Sequence, residues 1–255
     1  MTGAENEIKY AAQLIIKSEY TIIFSGAGIS TPSGIPDFRS VNSGLWQKYD
    51  PFEVASLTSF LNNPEIFYQW FRPLVRTICN AHPNQAHRSI SDLQKAGYIN
   101  DIITQNIDAL HQRSGASTVH EIHGTMETLT CLKCMETIPS LPFLPKYIEH
   151  GTIPRCPICS TILKPDVVLL EEQLPEFPWS CANQAIEKTQ LMIIAGSSLV
   201  VTPAASLPII ALDHGAKLLV INRSPTYIDN NASLILNKDV AKTFKAIKNE
   251  IIQNQ

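Results

Sequence analysis

Residues 21–39 have the sequence TIIFSGAGISTPSGIPDFR, an apolar run followed by a loop rich in glycine and proline. The apolar run, Thr21 to Phe24, is typical of a buried strand in a parallel sheet. Gly26 and Gly28 follow where this strand leaves the sheet, at the edge where such sheets bind nucleotides. Glycines let the backbone turn tightly and bring N–H groups close to a phosphate. The stretch therefore predicts an α/β fold with a nucleotide site after its first strand.

The loop after the two glycines differs from the dinucleotide fingerprint of dehydrogenases. That fingerprint has a third glycine where this chain has Thr31, and an acidic residue about 20 positions further on. Here residues 32–39 form a stiff loop instead, which ends in an acid, an aromatic ring and a guanidinium. The two glycines by themselves do not show a nucleotide site, because many strand-to-loop turns contain glycine for conformational reasons only. The complete loop favours an NAD site of a different kind.

The composition excludes several classes of protein. A chain of 255 residues is long enough for one large domain with a smaller insert. The net charge of -3 gives no overall basic field that would attract nucleic acid or an anionic membrane. Residues 1–10 lack the apolar core of a signal peptide, and no stretch approaches the roughly 18 apolar residues of a membrane helix. We therefore expect a cytoplasmic protein that contacts neither nucleic acid nor membrane directly.

Four of the six cysteines form two Cys-x-x-Cys pairs. Cys131 and Cys134 are separated from Cys156 and Cys159 by 21 residues, one more than the usual spacing of a four-cysteine zinc ribbon. Four thiolates complete a tetrahedral shell and leave no position for a catalytic water, so the pattern predicts a structural Zn²⁺. A redox dithiol is the competing interpretation.

Hydrophobic patterns predict the elements around these motifs. Apolar runs predict strands over 21–24, 99–104, 119–124, 191–195 and 217–221, and helical spacing predicts helices over 4–18, 86–96, 201–214 and 239–252. Residues 44–82 are rich in aromatic residues and contain no strand-like run, so we expect a helical insert there.

Polar residues follow four of the predicted strands. Gln105 to Asp108 come after the second strand, and His123 ends the third. Ser197 with Ser198 and Asn222 follow the two later strands. Because the carboxyl ends of parallel strands meet at one edge of a sheet, we expect these side chains to line one ligand site.

Taken together and in this order, the motifs resemble those of the sirtuins, the NAD-dependent protein-lysine deacylases, over essentially the whole chain. The matching motifs are GAGIS at 26–30, GIPDFR at 34–39, TQNID at 104–108, His123-Gly124, the two cysteine pairs, GSSL at 196–199 and Asn222. The chain is most similar to the compact bacterial and archaeal members, and we expect a monomer.

The resemblance implies a Rossmann-like parallel sheet in a large domain and a small domain that combines the zinc module with the helical insert. The large domain would contain residues 1–43, 83–125 and 165–255. The small domain would contain the insert, 44–82, and the zinc-binding module, 126–164. NAD and the substrate would meet in the cleft between them.

The resemblance also implies a role for each cofactor-binding residue. Asp108 and the Ile107 backbone would hold the nicotinamide carboxamide, and Phe38 would cover the reacting face. Gln105 and Asn106 would bind ribose hydroxyls and ordered water. Three further groups complete the site: Arg39, Ala27 and Thr31 on the phosphates and nearby ribose, Asp37 beside them, and Ser197, Ser198, Asn222 and the backbone near Val240 on the adenosine half.

Catalysis is assigned to His123 and Asn106 by the same resemblance. An imidazole has a pKa near neutrality, which suits removal of a proton from a ribose hydroxyl after the acyl-lysine oxygen has attacked. The acetyl-lysine protein or peptide would pair with the strand at Val167 and Val168. The products would be free lysine, nicotinamide and acetylated ADP-ribose.

Two features of the sequence concern the substrate: one departure from the sirtuin pattern and one clue to acyl preference. Where the family usually has Phe-Gly-Glu after two valines, Glu171 takes the place of the glycine. This side chain either alters pairing with the substrate and favours basic flanking residues, or is a neutral change on an outward-facing position. Sirtuins that favour succinyl or malonyl groups carry a Tyr-x-x-Arg pair. Here Tyr68 is followed by Phe71, with Arg72 one place off, which favours acetyl or other neutral acyl groups.

Three other functions stay open at this point. The same cleft could belong to an NAD glycohydrolase or ADP-ribosyltransferase, which would pass the ribose to water or another nucleophile. A nucleotide-sensing module without turnover and a hydride-transferring dehydrogenase are the alternatives from other classes. Nicotinamide release that requires an acyl-lysine peptide would exclude the first, loss of function on substitution of His123 the second, and absence of an absorbance change at NADH wavelengths the third.

Overall fold

The computed structural model describes residues 3–37 and 48–253. In chain order the elements are α1 (Gly3–Lys17), β1 (Thr21–Ser25), α2 (Pro51–Val54), α3 (Leu57–Asn62), α4 (Pro64–Asn80), α5 (Gln85–Lys95), β2 (Asp101–Thr104), α6 (Leu110–Arg113), β3 (Val119–Glu121), β4 (Gly124–Thr130), β5 (Thr137–Pro139), α7 (Leu144–His150), β6 (Lys164–Val167), α8 (Glu176–Lys188), β7 (Leu191–Ala195), α9 (Leu207–Asp213), β8 (Lys217–Ile221), β9 (Leu234–Leu236) and α10 (Val240–Gln253).

A six-stranded parallel sheet, in the order β3-β2-β1-β7-β8-β9, forms the centre of the fold. Every residue of β1, β2 and β7 is buried, as the continuous apolar runs require of strands covered on both faces. In this sheet β1 lies between β2, the next strand along the chain, and β7, which comes much later. The loops after β1 and β7 therefore flank a switch point in the strand order, where open α/β sheets bind ligands.

Helices cover both faces of this sheet. On one face α1, α5 and α10 pack through residues such as Ile15, Ile90 and Phe244. On the other face α8 and α9 pack through residues such as Ile186 and Leu207. The α/β fold and the Rossmann-like sheet predicted from the sequence are confirmed.

A second, antiparallel sheet has the order β5-β4-β6 and carries the paired cysteines at one end. Beside it, α4 buries Phe67, Tyr68 and Phe71 against Tyr147 of α7. The described part of the predicted helical insert contains α2, α3 and α4, which agrees with its aromatic, strand-free composition.

Two predicted elements differ from the structure. The strand predicted over 119–124 ends at Glu121, and β4 begins at Gly124 in the other sheet, because Gly124 has a left-handed φ of 77° that turns the chain. The helix predicted over 201–214 is a 3-10 turn over Ala204–Ser206 followed by the shorter α9. Both α8 and β9 were missed by the sequence analysis.

Within residues 3–37 and 48–253, the helices are all too short or too polar to cross a membrane.

Candidate active site and metal site

The two glycine loops at the switch point touch each other through their backbones. Gly28 N donates to the Gly196 carbonyl at 2.8 Å, and Gly26 N donates to the Ala195 carbonyl at 3.1 Å. A Cβ atom at Gly28 would lie 2.7 Å from that same Gly196 oxygen, closer than real side chains come. Only glycine allows this approach, so the loop after β1 and the loop after β7 form one continuous surface.

Asn84 connects the glycine loop after β1 to the start of α5. Its side chain accepts from Ala86 N at 2.8 Å and so caps the start of α5. The same amide donates to the Ile29 carbonyl at 2.8 Å and to Ser33 Oγ at 3.0 Å. The cap thereby fixes the loop against the start of α5.

Ser30 joins the two polar residues of the loop after β2. Its hydroxyl donates to Asp108 Oδ2 at 2.6 Å and accepts from Asn106 Nδ2 at 3.2 Å. Asn106 Nδ2 also donates to the Gly26 carbonyl at 3.1 Å. The sequence analysis missed Ser30, although its place beside Gly28 in the glycine loop was a usable signal.

Burial raises the pKa of the Asp108 carboxyl, and hydrogen bonds from Ser30 and the Leu110 N–H oppose this effect. The bond from Leu110 N to Oδ1 measures 2.9 Å. Both carboxylate oxygens are thus held, and the group faces the cleft in a fixed orientation.

His123 lies at the turn between the two sheets. Its Nδ1 is 3.2 Å from the Gln105 carbonyl oxygen. A carbonyl can only accept, so this bond places the proton of the neutral ring on Nδ1 and leaves Nε2 as the basic nitrogen. The His123 carbonyl accepts from Val168 N at 2.9 Å, which ties the histidine to the residue after β6.

Ser197 and Asn222 form the far end of the same surface. Ser197 Oγ accepts from Gln105 Nε2 at 2.9 Å and from Leu199 N at 3.2 Å. The Asn222 amide donates to the Ser197 carbonyl at 3.0 Å. The polar residues that follow β2, β7 and β8 are therefore connected, as their places at the strand ends predict.

These groups line one cleft with a volume of about 770 Å³, within the range of small-molecule sites. The described residues that sequence reasoning assigned to cofactor, catalysis or substrate all line it: Ala27, Thr31, Asp37, Gln105, Asn106, Ile107, Asp108, His123, Val167, Val168, Ser197, Ser198, Asn222 and Val240. Phe38 and Arg39 lie outside the described residues.

The four paired cysteines bring their sulfur atoms within 4.8 Å of one another. The Sγ distances are 3.4 Å for Cys131 to Cys159, 3.6 Å for Cys134 to Cys156 and 3.8 Å for Cys134 to Cys159. Four sulfurs at about 2.3 Å from a tetrahedral Zn²⁺ lie about 3.8 Å apart, so the donor set fits zinc. With four thiolate ligands the metal has no open position, and its role is structural.

A model of the Sir2 family matches residues 26–203, more than half of the chain. The chain belongs to the Sir2 family. Among curated Sir2 relatives, a protein of Archaeoglobus fulgidus named NAD-dependent protein deacylase 2 is 45% identical over 226 residues, which are 88% of each chain. A protein of Oceanobacillus iheyensis named NAD-dependent protein deacetylase is 39% identical over 235 residues, 92% of this chain and 97% of the relative.

Solved Sir2 structures share the whole architecture. One, described under the mechanism and regulation of Sir2 enzymes, superposes with a TM-score of 0.92 at 40% identity and covers 98% of this chain and 100% of its own. A second, Sir2 with a p53 peptide and NAD+, has a TM-score of 0.87 at 37% identity and covers 95% of this chain and 98% of its own.

The apolar end of the cleft in this Sir2 chain carries Trp70, Phe71 and Leu74 from α4. Arg72 points to the opposite side, where its guanidinium donates to the carbonyls of Ile148 and Glu149 at the end of α7. The Tyr68 hydroxyl donates to the Leu163 carbonyl at 2.5 Å. Tyr68 and Arg72, the two residues that could have bound an acidic acyl group, therefore bond to backbone carbonyls instead.

Proposed function

We propose that the chain is an NAD-dependent protein-lysine deacetylase that transfers the acyl group to ADP-ribose and releases nicotinamide. One observation carries the proposal: a single cleft is lined by the glycine loops, by His123 and Asn106, and by the residues at the end of β6. The names of the Oceanobacillus and Archaeoglobus relatives, and the Sir2 structure with peptide and NAD+, support it.

NAD would occupy the surface from Asp108 to Val240. The two glycine loops pack too closely for a side chain between them, since a Cβ at Gly26 would lie 2.9 Å from Ser197 Cα. Their exposed backbone would face the phosphates of NAD. Asp108 and Ile107 would hold the carboxamide, Gln105 and Asn106 the ribose, and Ser197, Ser198 and Asn222 the adenosine half. Ala27, Thr31, Asp37, Phe38 and Arg39 would complete the site. When bound, NAD supplies the electrophilic ribose carbon and the nicotinamide leaving group.

His123 would act as the general base. With Nδ1–H donated to the Gln105 carbonyl, Nε2 is the nitrogen that can accept a proton from a ribose hydroxyl. Asn106, held by Gly26 and Ser30, would orient that hydroxyl or a water beside it. The apolar residues Phe67, Phe71 and Leu74 would exclude bulk water from the reacting end.

The acetyl-lysine peptide would enter beside Val167 and Val168 and pair with their backbone as an added strand. An acetyl or other neutral acyl group suits the apolar end of the cleft, since Arg72 is bound at α7 and Phe71 presents a hydrocarbon ring.

The proposal includes the division into two domains. Residues 1–43, 83–125 and 165–255 would form the NAD-binding domain, and 44–82 with 126–164 the small domain. The separate antiparallel sheet and the separate apolar cluster around Leu129 and Leu163 support a distinct small unit.

We also propose a cytoplasmic monomer. All six cysteines lie outside disulfides, and four of them form the zinc ligand set, as suits a reducing compartment. Light scattering of the purified protein would test the monomer.

The deciding experiment measures nicotinamide release from NAD with and without an acetyl-lysine peptide. We expect release and deacetylation to require the peptide and to fall by about 10²- to 10⁴-fold in His123→Ala, the range for loss of a general base. His214→Ala, a surface histidine bonded to the Ile210 carbonyl, is the control and should keep the parent rate. Release that ignores the peptide would instead establish an NAD glycohydrolase or ADP-ribosyltransferase.

A further inference from the structure

A buried ion pair lies at the base of the segment from Val167 to Glu172. The Lys164 side chain is only 8% exposed, and its Nζ lies 2.9 Å from Glu172 Oε2. The same Nζ donates to the Val167 carbonyl at 3.0 Å and to the Pro165 carbonyl at 3.1 Å. The three protons of the ammonium thus have three acceptors, which offsets the cost of burying the charge.

Glu172 extends this link into the middle of the segment. Its Oε2 accepts from Leu169 N at 2.8 Å in addition to the bond from Lys164. The Lys164 ammonium therefore binds both the Val167 carbonyl and the Glu172 side chain. The Glu172 carboxylate in turn binds Leu169 N, which lies between them. Hydrogen bonds to a charged group are stronger than those between neutral groups, so the ion pair fixes the conformation of the segment from Val167 to Glu172.

The other side of the segment contacts the helical insert and the active-site histidine. Leu170 N donates to the Ala55 carbonyl at 2.9 Å, and Leu57 N donates to the Leu170 carbonyl at 3.0 Å. Val168 N donates to the His123 carbonyl at 2.9 Å. Residues 167–170 all line the cleft. The ion pair lies under a strip of backbone that forms the wall of the cleft.

We propose that Lys164 and Glu172 are positioning residues for the peptide substrate. They hold the backbone of residues 167–170 in its place along the wall of the cleft, where an incoming peptide strand would pair with it. Without the ammonium, Glu172 keeps a poorly solvated charge and the Val167 carbonyl loses its donor, so the peptide must order the segment as it binds. This inference rests on the proposed function and adds a determinant of peptide affinity to it.

The test compares steady-state constants of the full-length parent with those of Lys164→Met, Lys164→Arg and Lys248→Met. For Lys164→Met we expect the peptide KM to rise about tenfold or more, with kcat and the KM for NAD within about threefold of the parent. Lys164→Arg keeps the cation and should restore the peptide KM to within about threefold. Lys248→Met removes a matched ion pair with Asp92, 2.9 Å long and remote from the cleft, and should change nothing.

The split between KM and kcat separates positioning from a purely structural role. A folded Lys164→Met protein with the parent's peptide KM, or with a lower kcat at unchanged KM, overturns the inference. If circular dichroism shows that Lys164→Met does not fold, Glu172→Gln replaces it, since it keeps the volume and the acceptor for Leu169 N. Its peptide KM must also rise. A parent that releases nicotinamide without any need for peptide contradicts the proposed function instead, and the inference falls with it.

Discussion

The nucleotide cleft and the cysteine module are stabilised in different ways. The cleft loops leave strands whose residues are all buried between two layers of helices. The apolar cluster of the module contains four buried residues, Leu129, Cys131, Cys156 and Leu163, and two of these are metal ligands. We therefore expect the hydrophobic core to be sufficient for the cleft, and zinc to be needed for the module. One chain can thus combine a ligand site built on its hydrophobic core with a neighbouring module whose folding requires a metal ion.

The largest effect that separates the two regions is expected from Cys131→Ser. Structural zinc contributes about 10–16 kcal/mol of apparent binding free energy in small modules, more than such a module gains from its own core. We expect zinc content to be lost and amide protection over residues 131–159 to collapse, while β1, β7 and β8 keep their protection in hydrogen exchange.

The matched control is Cys181→Ser, which changes a cysteine outside the metal cluster and should keep its zinc. Retained protection of the module in zinc-free Cys131→Ser would show that the two regions are stabilised alike.

Gly28→Ala should affect the cleft and leave the module unchanged. The new Cβ would lie 2.7 Å from the Gly196 carbonyl oxygen and 2.9 Å from its Cα, so the two loops must separate. Overpacking of this kind costs about 1–3 kcal/mol of stability. Because the separated loops must be brought together again for NAD to bind, we expect a roughly tenfold to hundredfold rise in the Kd for NAD, measured by calorimetry.

Gly97→Ala serves as the control for Gly28→Ala. Gly97 has φ +82° and no atom within 4 Å of the position of its Cβ, so alanine adds backbone strain of about 1–2 kcal/mol without a clash. Its Kd for NAD should equal that of the parent, and both variants should bind zinc normally. Equal NAD affinities in all three proteins would contradict the loop contact.

Glu121 gives the cleft side of the molecule a pH dependence. Burial raises the pKa of its carboxyl from 4.5 to about 7, against hydrogen bonds from Gln112 and Thr125 and with repulsion from Glu127 and Asp108. Because the folded pKa is the higher one, its stabilising contribution is complete below about pH 4.5 and is lost as the pH rises through about 7.

Urea unfolding of the parent and of Glu121→Gln measures this contribution. We expect the variant to gain about 1–3 kcal/mol relative to the parent between about pH 4.5 and 7.5, since the amide cannot ionise. A difference that does not change with pH would contradict the raised pKa.

The smallest effect is expected from Glu171→Gly. Glu171 has a left-handed φ of 75°, and its carboxylate accepts from Thr58 N at 2.9 Å. Hydrogen bonds to Thr58 lower the pKa of this exposed carboxyl, so it is ionised at neutral pH. Glycine relieves the backbone strain but loses the bond to α3, and the two effects oppose each other. Thermal melts should differ less between Glu171→Gly and the parent than between Gly97→Ala and the parent.

The sheet and the composition of the cleft followed from the sequence for a physical reason. Apolar runs identify strands buried on both faces, and parallel strands bring the residues after them to one edge, so Gln105, His123 and Ser197 could be placed together. The turn after Glu121 could not be predicted. The conformation of Gly124 depends on β6, where a Cβ would lie 1.9 Å from the Asp166 carbonyl oxygen, and that contact is distant in sequence.

The polar links within the site were also beyond the sequence. Ser30 belongs to the glycine motif, but only the fold shows that its hydroxyl lies between Asn106 and Asp108. The pairing of Lys164 with Glu172 could not be predicted either, because local sequence does not reveal that the chain between them folds back over the ammonium. Such contacts depend on tertiary structure, and no periodicity records them.

The two ends of His123 serve different partners. Its imidazole bonds to the Gln105 carbonyl and, in the proposed function, would face the ribose. Its main-chain carbonyl accepts from Val168 N, in the segment that would receive the peptide. Replacing the side chain leaves the main chain in place, so His123→Ala should still bind the acetyl-lysine protein but no longer deacetylate it. That variant is consequently a substrate trap, with which the natural targets of this deacetylase could be captured intact and identified by mass spectrometry.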